Sequence, residues 1–368
     1  MNDKILTMLV VGDNILGPHA ELFFTFASPV LNNSDVVVGQ LEIPYTARVD
    51  TKDGVNRDPS NLNALVSAGF DVVTLAGNHI TDAGETGIED TITWLRENDI
   101  SFTGAGMNIQ EARQAAVIER EGTKFGFLSY NCVGPKETWA APNKPGCAYV
   151  EVITHYELDH ANPGGPPTIY TWAEQKSLMA MVDDIQKIRS LCDVLVVSLH
   201  KGLVHTPVKL AAYEKEISYA AIDAGADIIL GQHAHILKGI ELYKGKTIFH
   251  GLCNFVTFLP SLAPKPNQDP QSWAQRRIEL FGFEPDPDYP TYPFHPEAKY
   301  TIIGKCLIKD KKIIRTSFIP CLINKQGQPE ILKRDERGQE ALNYMDKITR
   351  QANLNVKFAW EGDEVIIS

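Results

Sequence analysis

The 368-residue sequence lacks a long apolar run, a Cys-x-x-Cys pair and an excess of basic residues. No stretch approaches the ~20 apolar residues that cross a bilayer, so we expect no membrane insertion. The six cysteines lie far apart, which predicts neither a zinc knuckle nor a disulfide framework and favours a reducing, cytoplasmic location. The formal net charge of -11 argues against general nucleic-acid binding, which needs clustered Lys and Arg.

What the sequence does contain is a repeated strand pattern. Four segments begin with an aspartate, at Asp35, Asp71, Asp193 and Asp227, continue as Val, Ile or Leu, and end abruptly at a polar residue. The opening run 5–11 ends in the same way and has no small-residue cleavage site after it, so we interpret it as a buried strand and not as a signal peptide. Continuous β-branched runs are typical of strands that are covered by helices on both faces.

Helical spacing appears between these strands. The predicted helices are Ser60–Ala68, Thr86–Asn98, Trp172–Ser190 and Val208–Ala224. Strands that alternate with helices indicate an α/β fold with parallel stretches of sheet. After residue 240 the pattern changes to strands without intervening helices, which predicts a second sheet or an antiparallel extension of the first. These strands are Ile240–Tyr243, Lys246–His250, Tyr300–Ile308 and Lys312–Ile319.

Two stretches rich in Pro and Gly, residues 133–167 and 259–299, interrupt this order. Long loops in compact domains are commonly functional covers, so the second, aromatic-rich stretch is either a substrate lid or a packing arm. If the arm packs against a neighbouring subunit, the protein is a homo-oligomer. We predict one domain over residues 1–325 that contains this insertion, followed by a C-terminal helix and tail, residues 326–368, packed on it.

Polar side chains with metal-ligating atoms follow five of the predicted strands. They are Asp13, Glu42, Asn78 with His79, His200, and His233 with His235. Ligands of parallel α/β sheets bind beyond the carboxyl ends of the strands, so we expect these groups to share one pocket. His233 and His235 would project to the same side of an extended segment. Cations balance such converging groups most directly, and mixed carboxylate, amide and imidazole donors suit Mn, Fe or Zn.

Six short motifs carry a more specific resemblance. They are Val11-Gly-Asp13-Asn-Ile-Leu, Gly39-Gln-Leu-Glu42, Ala76-Gly-Asn78-His79-Ile-Thr-Asp82, Ser198-Leu-His200-Lys-Gly202, Gly231-Gln-His233-Ala-His235 and Gly251-Leu-Cys-Asn254-Phe255. In order and spacing, over about residues 5 to 258, they resemble the CapA family of capsule and poly-γ-glutamate synthesis proteins. The resemblance implies a calcineurin-like metallophosphatase fold, a four-layer α/β/β/α sandwich.

The same resemblance implies a ligand set for two divalent metal ions. By position, the ligands are Asp13 and His235 for the first ion, Glu42 as the bridge, and Asn78, His200 and His233 for the second. His79 matches a catalytic histidine that contacts substrate and not metal. Asp82 is placed to orient His79 and fix its tautomer.

The sequence departs from the family pattern at three positions. Ile15 stands where phosphoesterases usually have a histidine, Glu42 replaces the commoner bridging aspartate, and Lys201 replaces a tryptophan. The first departure concerns the occupancy of the first metal position, the second the spacing of the metal pair, and the third the substrate preference.

Four further residues are candidates for substrate binding. Arg57, Lys201 and His205 could hold an anionic substrate, with ordinary surface charge as the alternative. Asn254 is either a substrate contact or part of a structural turn. Cys253 is interpreted as a small buried residue and not as a nucleophile, because no basic partner or helix start lies near it.

These residues predict a metal-dependent hydrolase of capsule or poly-γ-glutamate metabolism. The bond attacked would be a phosphoester or a γ-glutamyl amide, and the substrate an anionic small molecule or a γ-glutamyl polymer. The alternative is a non-catalytic accessory protein that binds an anionic polymer or a synthase partner. The presence of His79 beside Asn78 favours the enzyme, because an accessory protein has no need of a substrate-facing histidine.

Overall fold

The computed structural model describes residues 4–158, 164–260, 268–289 and 292–368. The strands, in chain order, are β1 (Leu6–Ile15), β2 (Val36–Leu41), β3 (Val72–Thr74), β4 (Ser101–Thr103), β5 (Ala105–Gly106), β6 (Ala116–Arg120), β7 (Thr123–Asn131), β8 (Gly146–Cys147), β9 (Val152–Glu157), β10 (Thr168–Ala173), β11 (Val194–Lys201), β12 (Ile228–His233), β13 (Leu237–Tyr243), β14 (Lys246–Leu252), β15 (Asn254–Thr257), β16 (Tyr300–Lys309), β17 (Lys312–Ile323), β18 (Pro329–Ile331), β19 (Phe358–Glu361) and β20 (Glu364–Ile367). The helices are α1 (Ala20–Phe23), α2 (Ser28–Leu31), α3 (Asn63–Ser67), α4 (Gly84–Glu97), α5 (Ile109–Ala112), α6 (Gln175–Arg189), α7 (Ala212–Ala224), α8 (Pro270–Phe281) and α9 (Glu336–Gln351).

Two large sheets organise the chain. The first has the order β19-β20-β17-β16-β1-β2-β3-β4, with β15 paired to β1 and β18 to β17, and β1 to β4 run parallel. The second has the order β13-β14-β12-β11-β7-β6, in which β7, β11, β12 and β14 are parallel. The strands predicted after residue 240 are divided between them. β13 and β14 complete the second sheet, whereas β16 and β17 extend the first in antiparallel fashion.

The two sheets pack face to face and helices cover their outer sides. Val10 of the first sheet and Phe127 of the second lie in the core between the sheets. Because successive residues of a strand face opposite ways, Leu9 lies on the outer side of the first sheet, in the core that also contains Ile92 of α4. Ile185 of α6 belongs to the corresponding core of the second sheet. The result is the four-layer α/β/β/α sandwich that the resemblance implied.

The repeated aspartates have a structural reason. The backbone N–H of Asp35 donates to the carbonyl of Thr7, and the N–H of Thr7 donates back to Asp35 Oδ2 at 2.8 Å. The same pair of bonds joins Asp71 to Val37, Asp193 to Lys124 and Asp227 to Leu195. Each aspartate therefore fixes its strand against the start of the neighbouring parallel strand, twice in each sheet.

We expect Asp35→Ala to lower the free energy of unfolding by about 1–2 kcal/mol, because it removes a charged acceptor from a partly exposed backbone N–H. Urea denaturation measures the change. Asp50→Ala is the control, since the Asp50 carboxylate bonds within its own loop, to the N–H of Lys52. An equal loss of stability in both variants would mean that the hydrogen bond from Thr7 to Asp35 stabilises the protein no more than the hydrogen bond within the Asp50 loop.

Several predicted boundaries were wrong. The helix predicted over Trp172–Ser190 begins only at Gln175, because Trp172 pairs with Ile153 in an antiparallel ribbon of β9 and β10 and Glu174 caps the helix. The stretch 133–167 is consequently not a plain loop. Residues 159–163 of that stretch, and residues 261–267 and 290–291 of the second, lie outside the described residues.

The C-terminal segment joins the first sheet. α9 contacts β13 and β17, and β18 and β20 both pair with β17. The chain therefore crosses residue 325 in a turn between two paired strands, and the division at that point stays a prediction. In the described parts of the chain, no helix combines the length and apolar character needed to span a bilayer.

Candidate metal centre

The candidate site lies where strand ends of both sheets meet. Asp13, near the end of β1, is level with Gln40 of β2 and Asn254 of β15. Its Oδ2 accepts a 3.0 Å hydrogen bond from the backbone N–H of His233, which ends β12 in the other sheet. A side chain of one sheet is thus tied directly to the turn of the other sheet that carries His233 and His235.

Gly12 makes this approach of strands feasible. A Cβ atom at residue 12 would lie 1.9 Å from the carbonyl oxygen of Cys253, the same oxygen that accepts the N–H of Asp13 at 3.0 Å. Any side chain at this position would push β15 away from β1, so the glycine directly sets the separation of Asp13 and Asn254.

Asp13, Glu42 and His235 form a buried cluster. Each offers one ligand atom, and these atoms all lie within 4.8 Å of one another. In the part of the chain that the structure describes, Asp13 Oδ1 and Glu42 Oε2 have no hydrogen-bond partner, and Glu42 Oε1 has a 3.3 Å ionic contact with His235 Nε2. Carboxylate oxygens buried without partners are costly, and a cation is the partner that such a cluster fits.

The pKa values of the cluster also indicate that its buried carboxylates need a positive charge beside them. Burial and the nearby charge of Glu42 raise the pKa of Asp13 well above its usual range. Burial opposes the ionisation of Glu42, but the charge of His235 outweighs it and lowers the pKa of Glu42 to about 2. The pKa of His235 is about 9 in spite of burial, because Glu42 lies beside it. The charge of His235 is therefore what balances these buried carboxylates in the protein alone, and a divalent ion would balance them more directly.

Asn78, His200 and His233 form a second group next to the first. Asn78 Oδ1 lies 2.8 Å from His200 Nε2, and the ring centroids of His200 and His233 are 4.9 Å apart. Burial lowers the pKa of His200 to about 3 and that of His233 well below its usual range. Both rings are therefore neutral, which is the form of imidazole that binds metal, and the Nδ1 atom of each is buried without a partner among the described residues.

His79 is the accessible member of the site. Its side chain is 39% exposed, and its Nδ1 lies 2.9 Å from Asp82 Oδ2. Burial lowers the pKa of His79, but the hydrogen bond with Asp82 and the charge of Glu42 more than compensate, so the pKa is raised. The structure thus places a protonatable imidazole at the edge of the cluster, held by a carboxylate.

Arg57 supports this arrangement and is not an ordinary surface charge. Its side chain is 3% exposed, and one terminal nitrogen donates to Asp82 Oδ2 at 3.1 Å and to Asp53 Oδ2 at 2.7 Å. Its other terminal nitrogen donates to the carbonyl of Pro44. Arg57 therefore fixes Asp82, and through it His79, and a direct contact of Arg57 with substrate stays a prediction.

Lys201 does not join the site. It is fully buried, with Nζ 3.0 Å from His250 Nδ1 and 3.7 Å from Glu214 Oε2. Adjacent residues of a strand face opposite ways, so Lys201 points away from the side on which His200 lies. Neither a substrate contact nor surface charge describes it.

His205 and Asn254 both contact the surroundings of His235. His205 packs 5.3 Å from the Phe281 ring and 6.1 Å from the His235 ring, and burial lowers its pKa to about 3, so it carries no charge for an anion. Asn254 Oδ1 lies 2.7 Å from His235 Nδ1, which leaves Nε2 of His235 toward Glu42. Asn254 therefore orients His235, a role that the sequence motif alone did not reveal.

The turn after β12 differs from its prediction. The strand ends at His233, and both His233 (φ 84) and His235 (φ 51) have left-handed backbones, so the two do not share an extended segment. The turn nevertheless brings their rings to 5.9 Å. Such conformations cost roughly 1–3 kcal/mol each and persist where the surroundings enforce them, commonly at functional sites.

The aromatic insertion packs against the same place. The Phe294 ring lies 5.3 Å from that of His235, and Tyr292 accepts a hydrogen bond from Asn254 Nδ2 at 2.9 Å. Cys253, beside Asn254, is buried as predicted, and burial raises the pKa of its thiol to about 12. The insertion thus covers the His235 side of the cluster, whichever of its two predicted roles it serves.

Comparison with known proteins gives the family. Residues 7–258 match the family described as bacterial capsule synthesis protein PGA_cap. The chain belongs to the PGA_cap family. Within it, the chain is 29% identical over 275 residues to the capsule biosynthesis protein CapA of Bacillus anthracis, covering 69% of this chain and 60% of that protein. It is 26% identical over 270 residues to the PGA biosynthesis protein CapA of Bacillus subtilis (strain 168), covering 69% and 64%.

A further relative matches a smaller share of both chains. A probable polyglutamine synthesis accessory protein of Mycobacterium tuberculosis is 28% identical over 235 residues, covering 61% of this chain and 57% of its own. The matched part of this chain thus spans about 60% of these relatives. Among solved structures, a novel phosphatase from Mycoplasma pneumoniae is similar with a TM-score of 0.49 at 12% identity, covering 93% of this chain and 99% of that one.

Proposed function

We propose that this chain is a dinuclear-metal-dependent hydrolase of capsule or poly-γ-glutamate metabolism, acting on a phosphoester or a γ-glutamyl amide bond. The observation that carries the proposal is the buried cluster of Asp13, Glu42 and His235, in which Asp13 Oδ1 and both carboxylate oxygens of Glu42 have no hydrogen-bond partner among the described residues. The names of the two Bacillus relatives supply the link to capsule and PGA biosynthesis.

In this proposal the ligands divide into two sets that share Glu42. Asp13 and His235 would hold one ion, and Asn78, His200 and His233 would hold the other. When bound, such a pair of ions would supply an activated water and offset charge at the attacked centre. Asn254 fixes His235 through Nδ1, so that Nε2 remains available as the ligand atom.

His79 acts on the leaving group. The hydrogen bond with Asp82 and the charge of Glu42 raise its pKa and so favour the protonated ring, which can donate a proton to the departing oxygen or nitrogen. Asp82 holds Nδ1 and leaves Nε2 as the donating atom, and Arg57 keeps Asp82 in place. The substrate is an anionic small molecule or a γ-glutamyl polymer.

A second candidate is a non-catalytic accessory protein that binds such a polymer or a synthase. The mycobacterial relative, a probable polyglutamine synthesis accessory protein, favours it. The arrangement of His79, Asp82 and Arg57 favours the enzyme, because two side chains are used to hold one accessible imidazole.

Metal analysis with a substrate screen separates the two. We expect chelator-treated protein to take up two Mn²⁺ per chain and then to hydrolyse 4-nitrophenyl phosphate, bis(4-nitrophenyl) phosphate or γ-glutamyl-4-nitroanilide. The measurements are plasma emission spectrometry and release of the chromophore. Stoichiometric binding of poly-γ-glutamate without turnover of any of these compounds would support the accessory role and contradict the enzyme.

A further inference from the structure

A groove with a volume of about 510 Å³ begins beside His233. Its walls are the loop after β7, from Cys132 to Trp139, the ribbon of β9 and β10, and the turn that follows β11. Sites for small organic ligands commonly have volumes of ~300 to 1,000 Å³. Because His233 lines one end, a group bound in the groove is adjacent to the candidate metal centre.

The groove offers almost no free charge. Lys136 and Glu151 are its lining residues with charged side chains, and they pair with each other at 2.5 Å. His233, also in the lining, stands at the end of the groove next to the candidate metal centre. An anionic polymer would need unpaired cations along its path, and the described residues of the lining provide none.

The remaining lining is largely apolar and ring-bearing. The Trp139 ring stacks on Tyr149 at 4.2 Å with an interplanar angle of 6°, which fixes its orientation. Tyr156 and Ile169, directly paired across the ribbon, lie on the opposite wall with Leu203 nearby in the turn. Flat aromatic and branched aliphatic surfaces of this kind bind uncharged rings through apolar burial.

We propose that this groove binds an uncharged, ring-bearing organic group attached to the reacting bond. The inference rests on the proposed function and narrows it to phosphoesters of such groups, in preference to an anionic γ-glutamyl polymer. Hydrolysis consumes one water: its oxygen bonds to phosphorus, the phosphorus–oxygen bond to the organic group breaks, and the released hydroxyl compound takes a proton.

Direct binding tests the groove without turnover. Mn²⁺-loaded protein is titrated calorimetrically with methylphosphonate, phenylphosphonate and 4-carboxyphenylphosphonate. We expect phenylphosphonate to bind at least about tenfold more tightly than methylphosphonate, because its ring is removed from water. The carboxylated ring should bind more weakly than the phenyl ring. Equal affinity for the methyl and phenyl compounds, or strongest binding of the carboxylated one, would overturn the proposal.

The ribbon provides a matched pair of variants. Tyr156 and Tyr170 are 59% and 47% exposed, but Tyr156 lines the groove whereas Tyr170 pairs with His155 on the other face of the ribbon. We expect Tyr156→Asp to weaken phenylphosphonate binding about tenfold and leave methylphosphonate unchanged, and Tyr170→Asp to change neither. Equal effects of the two variants would contradict the assignment of the groove.

Failure of the proposed function would look different. In that case the protein binds neither Mn²⁺ nor any of the three phosphonates, and both proposals fall. If metal and methylphosphonate bind but the phenyl ring adds nothing, the groove proposal alone is wrong.

Discussion

Glu42→Gln is expected to abolish binding of Mn²⁺ while the protein stays folded. Glu42 is fully buried, and removing its charged carboxylate from water is unfavourable. Replacing it with a neutral amide should therefore leave the protein folded. The amide keeps the shape of the side chain but removes the charge shared by both predicted ion positions. Mutation of a residue that only supports a metal ligand typically lowers metal affinity by about 10- to 100-fold. We expect a larger loss here, because Glu42 is itself a predicted ligand. Metal content and the affinity for Mn²⁺ measure it.

Two comparisons sharpen this test. His233→Ala should also lower metal content, because it removes a ligand of the second predicted position. Glu241→Gln is the control, since Glu241 is a mostly buried carboxylate that pairs with His250 outside the cluster. If Glu241→Gln lowers metal content as much as Glu42→Gln does, the loss reflects general damage to buried carboxylates and the assigned ligand set is wrong.

His79→Ala is expected to lower turnover by about 10²- to 10⁴-fold without changing metal content, because proton donation contributes on that scale. The loss should be larger for alkyl esters, whose leaving oxygen needs a proton, than for 4-nitrophenyl esters, whose leaving oxygen departs as a stable anion. Steady-state kinetics on the two ester types, with metal analysis of the same samples, measure both effects. Metal loss equal to that of Glu42→Gln would show that His79 is a ligand.

The pH dependence separates the role of Asp82 from that of His79. The hydrogen bond with Asp82 helps to raise the pKa of His79 against the lowering effect of burial. A proton donor with a raised pKa stays active to higher pH, and activity falls as pH rises through that pKa. Asp82→Asn should therefore move the alkaline limb of the pH–rate profile to lower pH. Asp53→Asn should move it less, because Asp53 contacts Arg57 and does not contact His79 directly.

Much of the layered architecture could be predicted from local sequence. Continuous β-branched runs identify the buried strands, because a strand that is covered on both faces has apolar residues at successive positions and not at every second one. The ribbon of β9 and β10 was missed because its side chains are mostly exposed and its apolar spacing, around Trp172, also fits a helix. The aspartate before each strand was visible, but its bond to the neighbouring strand depends on which strands pair, and that is not a local property.

The site was predictable to the extent that it depends on strand ends. The closeness of Asp13 and Glu42 follows from the shared carboxyl edge of β1 and β2, whereas His235 comes from the turn after β12 of the other sheet. The alternation rule, applied to His200, would have excluded Lys201 from the same side. The contact of Asn254 with His235 could not be predicted, because it depends on a left-handed turn at His235 and on the close approach that Gly12 permits.

The paired bonds of Asp35, Asp71, Asp193 and Asp227 have a consequence for the opposite edge of the sheets. A one-residue slip of a strand would turn its whole row of side chains over, and a predicted ligand such as His200 would then face the wrong layer. By anchoring each strand at its beginning, the aspartates protect the alignment of groups some twenty ångströms away, at roughly 3.3 Å per residue. Residues at the far end can therefore be exchanged one at a time without realigning the rest.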